Sequence, residues 1–382
     1  KRETGIKHFP RRSRVLNFVL AGGGEPGLLL AGLAIADELR ASVPHARVVF
    51  AGSGTGPEVR RICRTGYEYV VMGGACEDRP VRAWRWPWTR WGEPRLLLKR
   101  IRPAAVVSLG GAIGESVGRA AAGLRLPLVI LEQHVSASLT TRRLAAKAQL
   151  ICLGFEETRR NLAANCPIRV TGIPLTRPDP PGGDAAPTDD AAVVRAGAGR
   201  LVILGDGGSS RTMNAVLPRA IGRLQEHIPH WRVVHRTHGD DVRPIKRLYR
   251  RFGIDAVTTG HIHNLPGLLA RSDLVIATTP PSDVVELSVS ATPIVAAIEA
   301  DSPECSQVRT ARTLAQRGAC LLVEQPHQEQ AWTQVLKPLL SDSGHRRRLA
   351  AAMQRHFRND AAWHMAGMIR DLISSAAGRC VA

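Results

Sequence analysis

The chain has 382 residues, 44% of them hydrophobic, and a formal net charge of +19. That length allows two domains of ordinary size, each with its own core. Seven scattered cysteines without a CxxC pair argue against a disulfide scaffold or structural zinc and for a reducing compartment; no apolar run is long enough to cross a bilayer.

The excess of Arg and Lys favours anionic partners such as nucleic acid, anionic lipid headgroups, or nucleotide and pyrophosphate substrates. Residues 1–14 form a basic, polar arm. Val15–Leu20 reads as a strand, followed by the glycine-rich turn Gly22-Gly23-Gly24-Glu25-Pro26-Gly27 and a helix through Leu39. Strands are predicted at Arg47–Phe50, Tyr67–Met72, Ala104–Leu109, Pro127–Leu131 and Leu150–Leu153, with helical stretches between them. Strands spaced by helices at this interval define a parallel, doubly wound sheet. Residues 171–200 change character, because Pro, Gly, Asp and Ala dominate without periodicity, and they read as a linker.

The same plan then restarts. A strand at Leu201–Leu204 leads into Gly205-Asp206-Gly207-Gly208-Ser209-Ser210 and a helix. Further strands are expected at Trp231–His235, Ala256–Thr258, Asp273–Ala277, Pro293–Ala297 and Cys320–Val323. Gln330–Leu340 and a single long stretch, Arg346–Ile373, read as helical. The organisation is therefore α/β, with two Rossmann-like parallel-sheet domains facing a cleft: 15–170 and 201–345, followed by a helical segment at 346–382 that packs back on the first domain.

Three stretches carry candidate chemistry. Asp273–Glu286 is a strand, a proline-containing break and a helix start; such a junction leaves backbone N–H groups and a helix dipole that suit a diphosphate. Ser282, Asp283 and Val284 lie at that junction, and Glu286, one turn in, is placed to accept from a ribose diol. Asp283 with Glu286 also satisfies the pattern of a capping box, which needs no ligand. The two glycine-rich turns, one per domain, are each weak signals but together suit a cleft that grips a nucleotide sugar on one side and an acceptor on the other. Finally, Trp84, Trp86, Trp88 and Trp91, four of the seven tryptophans, alternate with Arg85 and Arg90. This suits a membrane–water interface. A core-packed cluster with a basic rim and a base-stacking surface are the alternatives, the former costly because it buries cations. No known nucleic-acid module is present, and no specific nucleic acid is expected as a partner.

The ordered motifs GLAIADEL (32–39), PAAVVSLGG (103–111), LPLVILEQ (126–133), VTGIPLTR (170–177), LVILGDGGSSRTMN (201–214) and GHIHNLPGLLARSDLVI (260–276) resemble the MurG family of bacterial glycosyltransferases. The resemblance implies a GT-B architecture and metal-free inverting transfer of N-acetylglucosamine. The donor is UDP-N-acetylglucosamine and the acceptor an undecaprenyl-linked muramoyl-pentapeptide. It needs no cofactor and places the protein peripherally on the anionic cytoplasmic face of the inner membrane, in peptidoglycan synthesis, cell shape and division. Matched by position, Glu286 holds the donor ribose, a backbone amide at Ile262 meets the uracil, and Gln307 lies near the donor sugar hydroxyls. The remaining positions that the resemblance assigns to binding UDP-N-acetylglucosamine are Gly24, Gly27, His134, Thr176, Arg177, Gly207 and Ser209.

The chain also departs from that pattern. The histidine that ends the first glycine turn of the family is Leu28, and His134 stands where the family has an asparagine. Asp206 enters the second glycine turn, Arg177 falls one step late, and Pro280-Pro281 removes N–H donors. A replacement base is therefore required, and the candidates are Glu25 and His134. Two other readings stay open: a transferase with another acceptor or donor, and a catalytically degenerate membrane-associated binding protein.

Overall fold

The structure is a computed structural model and describes residues 15–23, 26–54, 56–72, 93–174, 199–205, 210–227, 230–237, 239–262, 265–278, 292–298, 306–356 and 360–379. Its first part is a seven-stranded sheet built from β1 (Leu16–Ala21), β2 (Ala46–Gly52), β3 (Glu68–Val71), β4 (Ala105–Ser108), β5 (Leu128–Glu132), β6 (Leu150–Leu153) and β7 (Ile168–Val170). The order is β3-β2-β1-β4-β5-β6-β7, and every pairing is parallel. These strands are near-continuous apolar runs because helices cover both faces. Phe18, Leu20, Phe50 and Val107 point into one core; Val19, Ala21, Val49 and Val106 point into the other.

The crossover helices are α1 (Pro26–Ser42), α2 (Gly56–Arg64), α3 (Glu93–Ile101), α4 (Gly111–Gly123) and α5 (Leu139–Leu144). Pro26 opens α1, where a missing N–H and a fixed φ cost nothing. Ser138 caps α5 by accepting from the Thr141 amide at 3.3 Å, the usual service of a serine at that position.

The second part repeats the scheme with six strands: β8 (Gly199–Gly205), β9 (Trp231–Thr237), β10 (Ala256–Thr259), β11 (Leu274–Thr278), β12 (Ile294–Ala297) and β13 (Leu321–Val323). Their order is β10-β9-β8-β11-β12-β13, again parallel throughout. Helices α6 (Ser210–Arg223), α7 (Val242–Arg251), α8 (Leu265–Leu269), α9 (Ser306–Gln316) and α10 (Glu329–Ser341) accompany them. Leu201, Ile203 and Ile276 pack with Met213, Leu217 and the fully buried Trp332 on one face. On the other face Val202, Leu204 and Val275 share a cluster with Val135, Phe155 and Ile173 of the first part. The two parts therefore meet across an apolar seam.

The C-terminal stretch differs from the expected single helix over 346–373. It is two helices, α11 (Ser343–His356) and α12 (Ala361–Arg379). Asp360 precedes α12, and its carbonyl and carboxylate both engage His364, the latter at 2.9 Å from Nε2; Asp favours such helix entrances. The break has a tertiary cause as well. Leu349 and Met353 of α11 pack on the second sheet, while Met365, Ala366 and Ile369 of α12 pack with α1 in the first core. One straight rod cannot lie on both.

Within α12 the burial contrast sets a direct test. Ile369 is fully buried and Trp363 is 61% exposed. In urea unfolding, Ile369→Ala is expected to cost about 2–5 kcal/mol, and Trp363→Ala to stay within about 0.5 kcal/mol of the parent.

Candidate active site

In open parallel sheets, ligands bind beyond the carboxyl ends of the strands where the strand order reverses. In the first sheet that point lies between β1 and β4, in the second between β8 and β11. Gly22 and Gly23 leave β1 there, with the Gly22 amide donating to the Ala51 carbonyl at 3.0 Å. Gly111, at φ +70°, opens α4 so close to the Gly23 carbonyl that any side chain would collide with it. Behind this turn stands Glu58, which is buried. It accepts from the Ser53 hydroxyl at 2.8 Å and from the Tyr69 phenol at 2.9 Å. Leu28 follows in α1, only 6% exposed and part of the first core. The position at which the resemblance expects a reactive histidine is thus an apolar core position.

Beside it, β5 ends in Glu132, Gln133 and His134. Glu132 is 2% exposed, yet its carboxylate is fully engaged. Oε1 accepts from the His134 backbone amide at 3.0 Å and lies 2.8 Å from the His134 ring Nδ1. Oε2 accepts from the Ser138 amide and the Thr141 hydroxyl, both at 2.7 Å. Burial pushes the carboxyl pKa up, but the His134 ring, the Thr141 hydroxyl and the Ser138 amide outweigh it and bring it down to about 2. The chain around His134 is pinned from both parts of the molecule. Thr158 donates its hydroxyl to the His134 carbonyl at 2.7 Å, and the Val135 amide donates to Thr310 Oγ1 in α9 at 3.1 Å. An ion pair between Glu157 and Arg317 closes the same seam.

Across the seam, the carboxyl end of β8 is set by a buried polar network. Asn214 Nδ2 donates to the Gly205 carbonyl at 2.7 Å and to Thr237 Oγ1 at 2.9 Å. Its Oδ1 therefore accepts, and the partner is His235 Nε2 at 2.9 Å. His235 Nδ1 is left as an acceptor for the Tyr249 hydroxyl at 3.0 Å. Full burial lowers the His235 pKa to about 3, so the ring is neutral and its tautomer is fixed by its neighbours. Gly205 has no room for a Cβ above Asn214 and His235. The second glycine turn thus starts from a rigid, fully bonded strand end.

Few of the expected site residues fall among the described ones. Gly24, Glu25, Thr176, Arg177, Gly207, Ser209, Ser282, Asp283, Val284 and Glu286 lie outside them, as do Trp84, Trp86, Trp88, Trp91, Arg85 and Arg90. Gly27 lies in the first turn of α1. Gln307 lies in the first turn of α9, one turn before Thr310, so the strand end bearing His134 abuts the Gln307 helix. Ile262, buried after β10, joins Val135 in the seam cluster. The local reading missed the roles of Glu132, Glu58, Asn214 and His235. Glu132 was visible only as part of a motif; its four hydrogen bonds come from residues two to nine positions further on.

Two parallel α/β domains that meet at their strand ends are the GT-B architecture. The profile of the glycosyltransferase family 28 C-terminal domain matches residues 201–365. A Sorangium cellulosum protein named UDP-N-acetylglucosamine–N-acetylmuramyl-(pentapeptide) pyrophosphoryl-undecaprenol N-acetylglucosamine transferase is 30% identical over 321 residues, covering 81% of this chain and 77% of its own. The protein of the same name from Halorhodospira halophila is 30% identical over 346 residues, covering 88% and 92%. Among solved structures, Acinetobacter baumannii MurG superposes with a TM-score of 0.66 at 19% identity, covering 93% of this chain and 99% of that one. The chain belongs to the MurG family of glycosyltransferases.

Two stability tests follow from this geometry. The folded pKa of Glu132 lies below the usual carboxylate value, so its contribution is present above that value and is lost as pH falls from there toward about 2. The unfolding free-energy difference between the parent and Glu132→Gln should shrink over that window. Asn214→Leu leaves the Gly205 carbonyl, Thr237 and His235 without their partner, and urea unfolding should register a loss on the order of 3 kcal/mol or more.

Proposed function

We propose that this protein transfers N-acetylglucosamine from UDP-N-acetylglucosamine to an undecaprenyl-linked muramoyl-pentapeptide, at the anionic cytoplasmic face of the inner membrane. It would thereby serve peptidoglycan synthesis, cell shape and division. The observation that carries the reading is the seam at β5 and α9: the Val135 amide meets Thr310 across it, which sets His134 of the acceptor-side sheet against the helix that holds Gln307. Relatives with the matching name at 30% identity support the donor and acceptor. Among the described residues no helix is long and apolar enough to cross a membrane. Attachment is therefore assigned to the Trp–Arg stretch around Trp84–Trp91.

In this reading Glu286 grips the donor ribose, the backbone at Ile262 meets the uracil, and Ser282, Asp283 and Val284 face the diphosphate. Gly207 and Ser209 of the second glycine turn, Gly24 and Gly27 of the first, and Thr176 and Arg177 of the connecting stretch complete the site for UDP-N-acetylglucosamine. The acceptor hydroxyl attacks the anomeric carbon from the face opposite the diphosphate, and a base takes its proton. With Leu28 in the core, His134 takes that part, and Glu25 is the remaining acid of the first glycine turn.

Release of UDP from UDP-N-acetylglucosamine should depend on added lipid-linked acceptor. His134→Ala should lower kcat by about 10²–10⁴-fold and leave donor binding measurable by calorimetry. UDP release without acceptor dependence, or undiminished turnover in His134→Ala, would contradict the reading.

A further inference from the structure

We infer that the protein carries a second anion site, at the amino ends of β5 and β6, where Arg119, Arg125 and Lys147 line one cavity suited to a phosphate-class oxyanion. That edge of the first sheet is opposite the carboxyl strand ends at which the donor is placed. The inference goes beyond the transfer reaction and does not rest on the choice of its base.

The end of α4, the turn that follows it and the residues before β6 surround a cavity of about 440 Å³, within the roughly 300–1,000 Å³ of small-molecule sites. Its cations come from three places: Arg119 from α4, Arg125 from the turn, and Lys147 from the end of the short helical turn Ala145–Lys147. No carboxylate is among the described residues that line it. Arg119 lies 2.8 Å from Glu115, which also pairs with Arg143 at 3.1 Å, so one acid serves two guanidinium groups. Among the described residues Arg125 and Lys147 form no ion pair.

These cations are not needed to close the helix. The carbonyls of Ala120, Ala121 and Ala122 already accept from the amides of Leu124, Arg125 and Leu126. The left-handed position of such a cap ordinarily goes to glycine; here Arg125 holds it, at φ +56°, and brings a charge with it. Space is left beside it, because a Cβ built on Gly123 meets nothing within 4 Å. The opposite wall is fixed by Gln149. Its Oε1 accepts from the Leu128 amide at 2.6 Å and its Nε2 donates to the Lys147 carbonyl at 3.3 Å, which ties the backbone of Lys147 to the start of β5. Like charges gathered without a counter-charge repel. An anion with several acceptor oxygens relieves that repulsion and takes charge-assisted hydrogen bonds from guanidinium and ammonium groups; a neutral ligand does neither. A free phosphate or diphosphate and a phospholipid headgroup share that chemistry.

Titration calorimetry of the full-length protein with inorganic pyrophosphate, in the presence of saturating UDP, should show binding. The double variant Arg125→Glu/Lys147→Glu, altered at exposed positions, should weaken it about 10–100-fold with UDP affinity unchanged. Arg125→Gly, which suits that backbone, should weaken it in the same direction and serves if the double variant does not fold. A charge-matched control on α7, Lys246→Glu/Arg250→Glu, also exposed, should stay within about two-fold of the parent, since distant surface charges are screened. Three results overturn the proposal: no pyrophosphate binding by the parent at millimolar ligand, parent-like binding in the Arg125 variants, or equal weakening in the α7 control. If UDP itself gives no heat, the transfer reading fails, while the comparison of parent and variants with pyrophosphate still decides this site. Cosedimentation with phosphatidylglycerol vesicles separates the sources. Retention that falls in Arg125→Glu/Lys147→Glu and is displaced by pyrophosphate assigns the site to a lipid headgroup; retention equal in parent and variant assigns it to a free oxyanion.

Discussion

A parallel sheet covered on both faces leaves only its strand ends for chemistry. Here both sheets are of that kind: alternate residues of β1 point into two separate cores, and the second sheet does the same. Helix crossovers place every strand's carboxyl end on one side of its sheet. The loops that leave those ends are then the parts of the chain free to face a ligand. The seam between Val135 and Thr310 is a consequence, because it joins a strand end of one sheet to a helix that serves the other.

That constraint explains why a buried carboxylate is tolerated at Glu132. A buried charge is costly unless it is hydrogen-bonded on all sides, and Glu132 collects donors from the turn and helix that follow β5. The same hydrogen bonds shape the turn, so the carboxylate acts as a local template for residues 132–141. The network of Asn214, His235 and Tyr249 does a parallel job in the second sheet with neutral groups only. The carboxyl ends of β5 and β8 are thus each held by buried polar hydrogen bonds.

Leu28 stands in the first core where the family pattern has a histidine, and the scaffold accommodates it. Leu28 packs with the first core, so the start of α1 gains apolar contact where the family pattern has a polar ring. His134 occupies the asparagine position of that pattern and is met by a carboxylate already in place. The His134 ring Nδ1 lies 2.8 Å from that carboxylate.

The sequence by itself determined the α/β class, the repeated strand–glycine turn–helix plan and membership of the MurG family. Apolar runs such as Leu201–Leu204 and the spacing of Gly22–Gly27 and Gly205–Ser210 are local signals, set by burial on both faces and by backbone geometry. The tertiary structure alone decided that 343–379 is two helices serving different sheets. It also decided that His235 is a sealed neutral ring, and that Glu132 holds His134. The helix break and the sealing of His235 depend on contacts between residues far apart in the chain, Ile369 with the first core and His235 with Asn214 and Tyr249; the Glu132 bonds are short-range but need the turn after β5 to fold back on it. Local periodicity records which face of an element is buried; it carries no record of which distant side chain will supply a hydrogen bond.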